Sequence, residues 1–590
     1  MLKPAQDRLD YGSLLSPPPD YTTTFALGAT YSLDLEALVG IPMALFMSDE
    51  MSSSLTSNPI ATLEGIRRSV DNFAIICEPG QVKVPRNHSV VFSLLENSVF
   101  EASLPDECSF HPKIWLIRYQ NQAKDPLYRV IVLSRNLTFD RSWDIAVCLE
   151  GSKQKQKTEK NVPLQDFVNS FFPWINNPKK RNRIREMLTE LDYIHFDTQD
   201  QNVTDFSFCP LGINGYGKSS VKLFESYKDL LVISPFISKT VVEELGNKAL
   251  SNSTRTLITR RDEIAKLTPD LLNSFDVFAM KEAVNRGEEI LSGDNPQESE
   301  YQNQDIHAKF YVHSKAGRHS FFIGSANCSH RAFNGNAEFL LKLDYRKYGF
   351  KLQNILADIF GDNEQENPFE RVENLPEYKP EETSLNDKLE KDIKNICRSR
   401  PRANVVPNGD RYNVQLEIKM TKIPSGIDLK ISSLGGGQQE KLTYFTVLKD
   451  LKIEQISQFY VIEAVMDDIS VKRVVKISTC GIPEERDKAI FKTIIKDPST
   501  FLKYMTFLLS DSPLVTTLEQ IDTERLSDGK SSGRFLSTHA LYENMLKTVS
   551  REPERLKEIN RVMNFIDPDI VPEDFKGLHE IFMQASKKVK

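Results

Sequence analysis

Two stretches of this 590-residue chain repeat one unusual arrangement of polar residues around apolar runs. The first is His111-Pro112-Lys113, followed beyond "IWLIRYQ" and "LYRVIVL" by Ser134-Arg135-Asn136. The second is His307-Ala308-Lys309, followed by Gly324-Ser325-Ala326-Asn327. Side chains on a strand alternate with period two, so a His and a Lys at i and i+2 share a face. The downstream Ser-x-Asn can bring a third polar group to the same spot. Supplied twice, the pattern calls for two like halves meeting around one cavity. His and Asn stand 25 residues apart in the first copy and 20 in the second. The extra residues fall in the polar stretch "NQAKDPLYR", which reads as a hairpin loop.

Two imidazoles, two ammonium groups and two amides suit an anionic phosphodiester. One imidazole attacks phosphorus and forms a phosphohistidine; the other protonates the leaving oxygen and later activates water. The lysines and asparagines hold the non-bridging oxygens, where charge needs stabilising in the transition state. Two ammonium groups take over the role of divalent ions, so no metal or other cofactor is expected. Glu338 and Asp144 are candidates to orient an imidazole. For each, an ordinary surface or sheet-edge carboxylate is nearly as good a reading.

The motifs resemble the paired His-x-Lys signatures of the phospholipase D superfamily. "FIGSANCSHRAFNGNAEFLL" resembles that family's Gly-Ser-x-Asn segment with its trailing Asn-x-Glu. The resemblance covers roughly residues 20–360. The usual Asp five residues after the Lys is replaced by Arg118 in the first copy and Ser314 in the second. The remaining His-Lys-Asn pattern is closer to the nuclease and tyrosyl-DNA phosphodiesterase branches than to lipases.

The resemblance implies an α/β fold, a duplicated sandwich of two mixed sheets with flanking helices about a pseudo-twofold axis. It implies His111 and His307 as nucleophile and general acid/base. Their order stays open, although the first-half histidine is more often the attacker. Lys113, Lys309, Asn136 and Asn327 would be oxyanion clamps, assisted by Ser134 and Ser325. The expected activity is a metal-independent phosphodiesterase acting on nucleic acid, with DNA favoured, as a nuclease or DNA-end processor. Similar large bacterial proteins sit beside helicases in phage-defence systems, which adds a helicase or other protein partner and an antiviral role to the expectations. Competing readings are a lipid phosphodiesterase or phosphatidyltransferase, and a catalytically silent nucleic-acid-binding subunit of a helicase complex. A homo-oligomer is compatible with the sequence but not needed to complete the pocket.

Gly212-Ile-Asn-Gly-Tyr-Gly217-Lys218-Ser219 satisfies the GxxxxGK[ST] phosphate-loop expression. The next strand, "LLVI", runs into Ser234-Pro235 instead of a magnesium-holding Asp, so a nucleotide triphosphatase is disfavoured. The milder reading is a Gly-rich entry to the second half, with Lys218 touching a nucleic-acid phosphate. The net charge of −7 argues against indiscriminate nucleic-acid binding but leaves room for a local basic track. Lys179, Lys180, Arg181, Arg183 and Arg185 form one such run, and Arg260 and Arg261 end a strand-like segment. A solvated helix face and a strand terminus explain these at least as well. If they border the site, they would lead a polynucleotide to the histidines.

Seven cysteines without CxxC pairs suggest neither structural zinc nor a disulfide scaffold. With a polar start, they point to a soluble cytoplasmic protein without a signal peptide. "LEALVGIPMALFM" is too short to span a bilayer, so no membrane association is expected.

Apolar runs and helical stretches define a first half over 1–200 and a second over 201–361. The polar stretch 280–306 reads as a mobile loop over the cleft. Residues 362–404 read as a linker with one helix, "SLNDKLEKDIKNICR". Alternating segments at 405–482 indicate a small antiparallel β module, and 483–590 shows the spacing of an amphipathic helical domain.

Overall fold

The structure, a computed structural model, describes residues 11–47, 59–86, 89–105, 108–138, 142–281, 306–361, 367–376, 385–420, 424, 426–509, 541–549, 554–563 and 565–586. The chain divides into two compact units. One comprises 1–38, 71–84 and 97–394; the other comprises 39–70, 85–96 and 395–590.

The first unit is built on two sheets. Strands β1 (Thr22–Ala29), β3 (Phe73–Cys77), β5 (Val99–Glu101), β6 (Ile114–Gln120), β7 (Leu127–Leu133), β8 (Ala146–Lys153) and β9 (Ile194–Asp197) form a seven-stranded sheet in the order β5-β3-β1-β6-β7-β8-β9. Two short strands, β2 (Leu33–Asp34) and β4 (Val82–Lys83), pair in parallel beside them. The second sheet holds β10 (Val203–Leu211), β11 (Tyr227–Ile233), β12 (Ala249–Ile258), β13 (Asp276–Met280), β14 (Phe310–Lys315), β15 (Arg318–Gly324), β16 (Glu338–Tyr345) and β17 (Phe369–Arg371). Its order is β17-β13-β12-β11-β14-β15-β16-β10.

The two orders match over six strands, β5-β3-β1-β6-β7-β8 against β13-β12-β11-β14-β15-β16. In each, three parallel strands (β1, β3, β5 and β11, β12, β13) are continued by an antiparallel run through the hairpin after the His-x-Lys segment. This repetition defines the duplicated, phospholipase D-like sandwich that the sequence resemblance implies.

Strand burial explains why these runs are so apolar. Phe73–Cys77 is buried at every position, and Ile114–Gln120 and Leu127–Leu133 at most of theirs. That is the pattern of strands covered on both faces. One continuous cluster draws on both halves, with Leu116, Val130 and Phe167 packed with Phe310, Phe339 and Leu341. Helices Leu35–Met47, Val162–Asn169 and Pro178–Leu191 are among the helical stretches of the first 200 residues. Helix Leu385–Arg398 forms within the stretch read as a linker, where one helix was expected.

The second unit has its own core. Strands β18 (Arg402–Asn408), β19 (Arg411–Glu417), β22 (Phe445–Leu451) and β25 (Ser478–Cys480) form one sheet. Strands β20 (Asp428–Ser433), β21 (Glu440–Lys441), β23 (Phe459–Met466) and β24 (Ile469–Lys476) pair antiparallel beside it. Helices including Pro498–Leu509, Glu554–Met563 and Glu573–Ser586 enclose Leu63, Phe501, Met505 and Ile559. Arg486 meets the buried Glu96 at 2.5 Å, so that ion pair ties an early insertion to the late chain. The loop expected at 280–306 falls almost wholly outside the described residues.

Candidate active site

Each His-x-Lys motif lies just before the hairpin strand that follows it, and each is held by the opposite half. Phe110 bridges in parallel to Ala337, with the His111 N–H donating to the Ala337 carbonyl at 2.9 Å. Ile306 bridges in parallel to Trp143, with the His307 N–H on the Trp143 carbonyl at 3.0 Å. The residue after each bridge is a carboxylate. Glu338 Oε2 therefore meets Nδ1 of His111 at 3.0 Å, and Asp144 Oδ1 meets Nδ1 of His307 at 3.3 Å. The carboxylates cross the pseudo-twofold seam, so each half orients the other's imidazole.

The serines of the Ser-x-Asn segments complete the arrangement. Ser325 donates to Glu338 at 2.5 Å and accepts the Phe339 N–H at 2.9 Å. Ser134 donates to Asp144 at 3.2 Å and accepts the Ile145 N–H at 2.9 Å. Gly324 is needed before Ser325, because a Cβ there would stand 2.1 Å from the Phe339 carbonyl oxygen. Gly212 is similarly required, with φ +68° and the Asn336 carbonyl pressed against it, next to the segment carrying Glu338.

Lys113 Nζ sits 3.2 Å from His111 Nε2, and Lys309 Nζ 3.4 Å from His307 Nδ1. Both lysines are 1% exposed. Asn136 and Asn327 have shielded side-chain oxygens without a hydrogen-bond partner. Turning either amide over presents its NH2 donor instead.

Electrostatics follow from this crowding. Burial pushes the Lys113 ammonium down to about 8, opposed by Glu338 and Asp144. Lys309 is held well below its usual value by burial and by Lys113. His111 is held well below the usual imidazole value by burial, then by Lys113 and Lys309. Burial and Lys309 bring His307 to about 4, opposed by Asp144. The two carboxylates part company. Burial raises Glu338 to about 8 despite its cationic neighbours, whereas at Asp144 burial is outweighed by His307, Arg135 and Ser142 together, which keep it below the usual range. Mutual influence among His111, Lys113, His307, Lys309, Asp144 and Glu338 is what one cavity requires.

Several contributors carry no local sequence signal. Lys394 reaches back from helix Leu385–Arg398 to the buried Glu78 at 2.5 Å and to Ser109 Oγ at 3.0 Å. Glu78 in turn accepts the Phe110 N–H at 2.6 Å, one residue before His111. Tyr31 packs its ring 4.9 Å from the His111 ring, and Arg135 approaches Asp144 at 3.7 Å.

Other expected residues are placed elsewhere. Lys180 is corrected outright: it is 1% exposed, and its ammonium is spent on the Phe73 carbonyl at 2.7 Å and Ser98 Oγ at 2.9 Å. A buried, bonded ammonium is not a nucleic-acid contact. Phe73 opens β3, whereas Glu78 lies just past its other end, roughly 15 Å away at the rise of a strand. The basic run thus starts at the far end of the sheet from His111. Lys179 and Arg183 are exposed there, and Arg181 stacks 5.6 Å over Phe172. Lys218 pairs with Glu244 and lies over the Phe224 ring at 4.6 Å. Two 3-10 turns, not an α-helix, follow its glycines, so the loop lacks the helix N-terminus that cradles phosphate. The two departure positions are structural. Arg118 bonds Glu190 at 2.8 Å, and Ser314 meets His319 at 2.7 Å.

A repeated mixed sheet, with one His-x-Lys pair per half and a carboxylate crossing to each imidazole, defines a two-histidine phospholipase D-like fold. Among solved structures, yeast tyrosyl-DNA phosphodiesterase aligns at 12% identity over 56% of this chain and 84% of its own, with a TM-score of 0.34. Phosphatidylserine synthase of Haemophilus influenzae Rd KW20 aligns at 13% over 64% and 87%, with a TM-score of 0.32. Polyphosphate kinase from Porphyromonas gingivalis aligns at 14% over 59% and 44%, with a TM-score of 0.30. All three are phospholipase D superfamily proteins. No family model and no curated protein matches the sequence. The site is read from this chain's own residues.

Proposed function

We propose that the chain is a phosphodiesterase acting on nucleic acid, with DNA favoured, through a phosphohistidine and without a metal ion. The observation that supports it best is the crossed pair His111–Glu338 and His307–Asp144, with Lys113 and Lys309 between them. With Nδ1–H of His111 donated to Glu338, its Nε2 keeps the lone pair that attacks phosphorus. The P–O bond to the leaving group breaks, and Nε2–H of His307 protonates the departing oxygen. Water then attacks phosphorus, giving its proton to His307; the new P–O bond forms as the P–N bond breaks, and free His111 is regenerated.

His307 suits the acid because its partner Asp144 is the carboxylate held ionised, and an ionised partner stabilises imidazolium. The low value of His307 reflects burial and Lys309, and the negative charge of an ester between the lysines opposes it. Two lysines and two asparagines would share the non-bridging oxygens. Among the described residues, no helix is long and apolar enough to cross a membrane.

The test is a rapid denaturing quench held at alkaline pH, where a P–N bond survives, on a labelled oligonucleotide, followed by mapping of the modified residue. Label should appear on His111, persist in His307→Ala, and be absent from His111→Ala. Turnover should survive EDTA. Activity lost to chelator and restored by magnesium, or turnover of phosphatidylcholine vesicles in place of DNA, would contradict the proposal.

A further inference from the structure

The last residue of β11, Ile233, pairs with Phe310 directly after Lys309, and beyond it the chain runs Ser234-Pro235-Phe236-Ile237, with Ile237 bridging in parallel to Cys328. Phe236 is 41% exposed, the one phenylalanine so exposed among the described residues of its unit. The loop beneath it is firmly held. Ser234 Oγ accepts the Cys328 N–H at 2.9 Å and donates to the Phe236 carbonyl at 2.7 Å. The Ile237 N–H donates to Glu263, a carboxylate 1% exposed, at 2.7 Å, and the Ser238 N–H reaches the Cys328 carbonyl at 2.9 Å. Cys328 directly follows the catalytic candidate Asn327. The Arg260 guanidinium lies 4.7 Å from the centre of the Phe236 ring and is close enough to act electrostatically on Lys309.

A lone exposed phenylalanine is ordinary on a protein surface. One anchored through its loop to the residue after Asn327, with a guanidinium against its ring, has the two features of a stacking platform. These are a rigid π-face and a cation beside the path of the backbone.

We infer that Phe236, backed by Arg260, stacks an unpaired nucleobase next to the scissile ester, so that single-stranded nucleic acid or a frayed end is the preferred substrate. The inference rests on the nucleic-acid reading above and adds to it which form of nucleic acid is taken. A paired base has both faces covered by its neighbours and cannot use the ring. An unpaired base of any identity can, because stacking reads no hydrogen-bonding edge.

The experiment measures kcat/KM for wild type, Phe236→Ala and Phe236→Trp on single-stranded oligonucleotides with one cleavable linkage. The flanking nucleotide is either intact or abasic, on either side in turn. Phe236→Ala should lose about 5- to 150-fold on the intact strand, the range a base–aromatic stack supplies. It should match wild type to within about twofold on the strand abasic at the stacked position, and Phe236→Trp should retain activity. Equal loss on intact and abasic strands makes the ring a structural element and overturns the platform; so does no loss on the intact strand. Wild type that neither binds nor cleaves any oligonucleotide overturns the nucleic-acid reading and the platform with it. That result is distinguishable, because a failed platform alone leaves wild type active on DNA.

Discussion

Glu338 is fully buried and bonded to His111, Ser325 and Asn336. Burial lifts its pKa from 4.5 to about 8, against the pull of Lys113 and Lys309. Between those values the unfolded chain releases the proton while the folded chain keeps it. The fold is therefore fully credited below pH 4.5 and loses stability as pH rises through about 8. Glu338→Gln removes that loss. Its Tm relative to wild type should climb between pH 5 and pH 8.5, measured by calorimetry, while kcat/KM falls by about tenfold or more. A pH-independent difference in Tm would show that Glu338 ionises freely. His307 acts in the opposite window, since its depressed value lets stability drain away as pH falls from 6.5 through about 4. It does so alike in both proteins.

Helix Pro178–Leu191 illustrates how one basic run serves two purposes. Asn177 caps it through the Lys180 N–H, and Pro178 suits its first turn. Lys180 then turns inward to the start of β3, while Glu190 at the other end pairs with Arg118 of β6 and Tyr128 of β7. The helix is thus pinned to the sheet by charged groups at both ends. Lys180→Ala leaves the Phe73 carbonyl without this donor and should cost about 2–4 kcal/mol in urea unfolding. The salt dependence of DNA binding should not change, because this ammonium meets no phosphate. A shallower salt slope in the variant would restore Lys180 to the nucleic-acid contacts.

At the scale of the whole molecule, the proposed site needs both halves. Each lacks the carboxylate that orients its own histidine, and each would expose its side of the shared core around Phe167, Phe310 and Phe339. Chain segments 1–201 and 202–590, divided at the exposed turn between β9 and β10, should each be inactive when expressed separately. Co-expressed, they should assemble and recover phosphodiesterase activity. Turnover by either segment alone would mean that the crossed pairs are dispensable.

Local pattern determined a good deal of this protein. Period-two placement of His and Lys, repeated ahead of two apolar hairpins, together with the family resemblance, was enough to expect two α/β halves and to nominate His111, Lys113, His307 and Lys309 as a paired site. These are short-range properties, set by side-chain alternation and strand burial. Tertiary structure alone decided which carboxylate serves which histidine, since Asp144 and His307 lie 163 residues apart in sequence and Glu338 and His111 lie 227 apart. It also decided that Lys394 reaches Glu78 and Ser109 from a late helix, that the loop carrying Phe236 is tied to Cys328, and that Lys180 is buried. Those facts depend on how the strands stack and cross, and a charged residue looks the same in sequence whether its fold turns it toward solvent or toward a buried carbonyl.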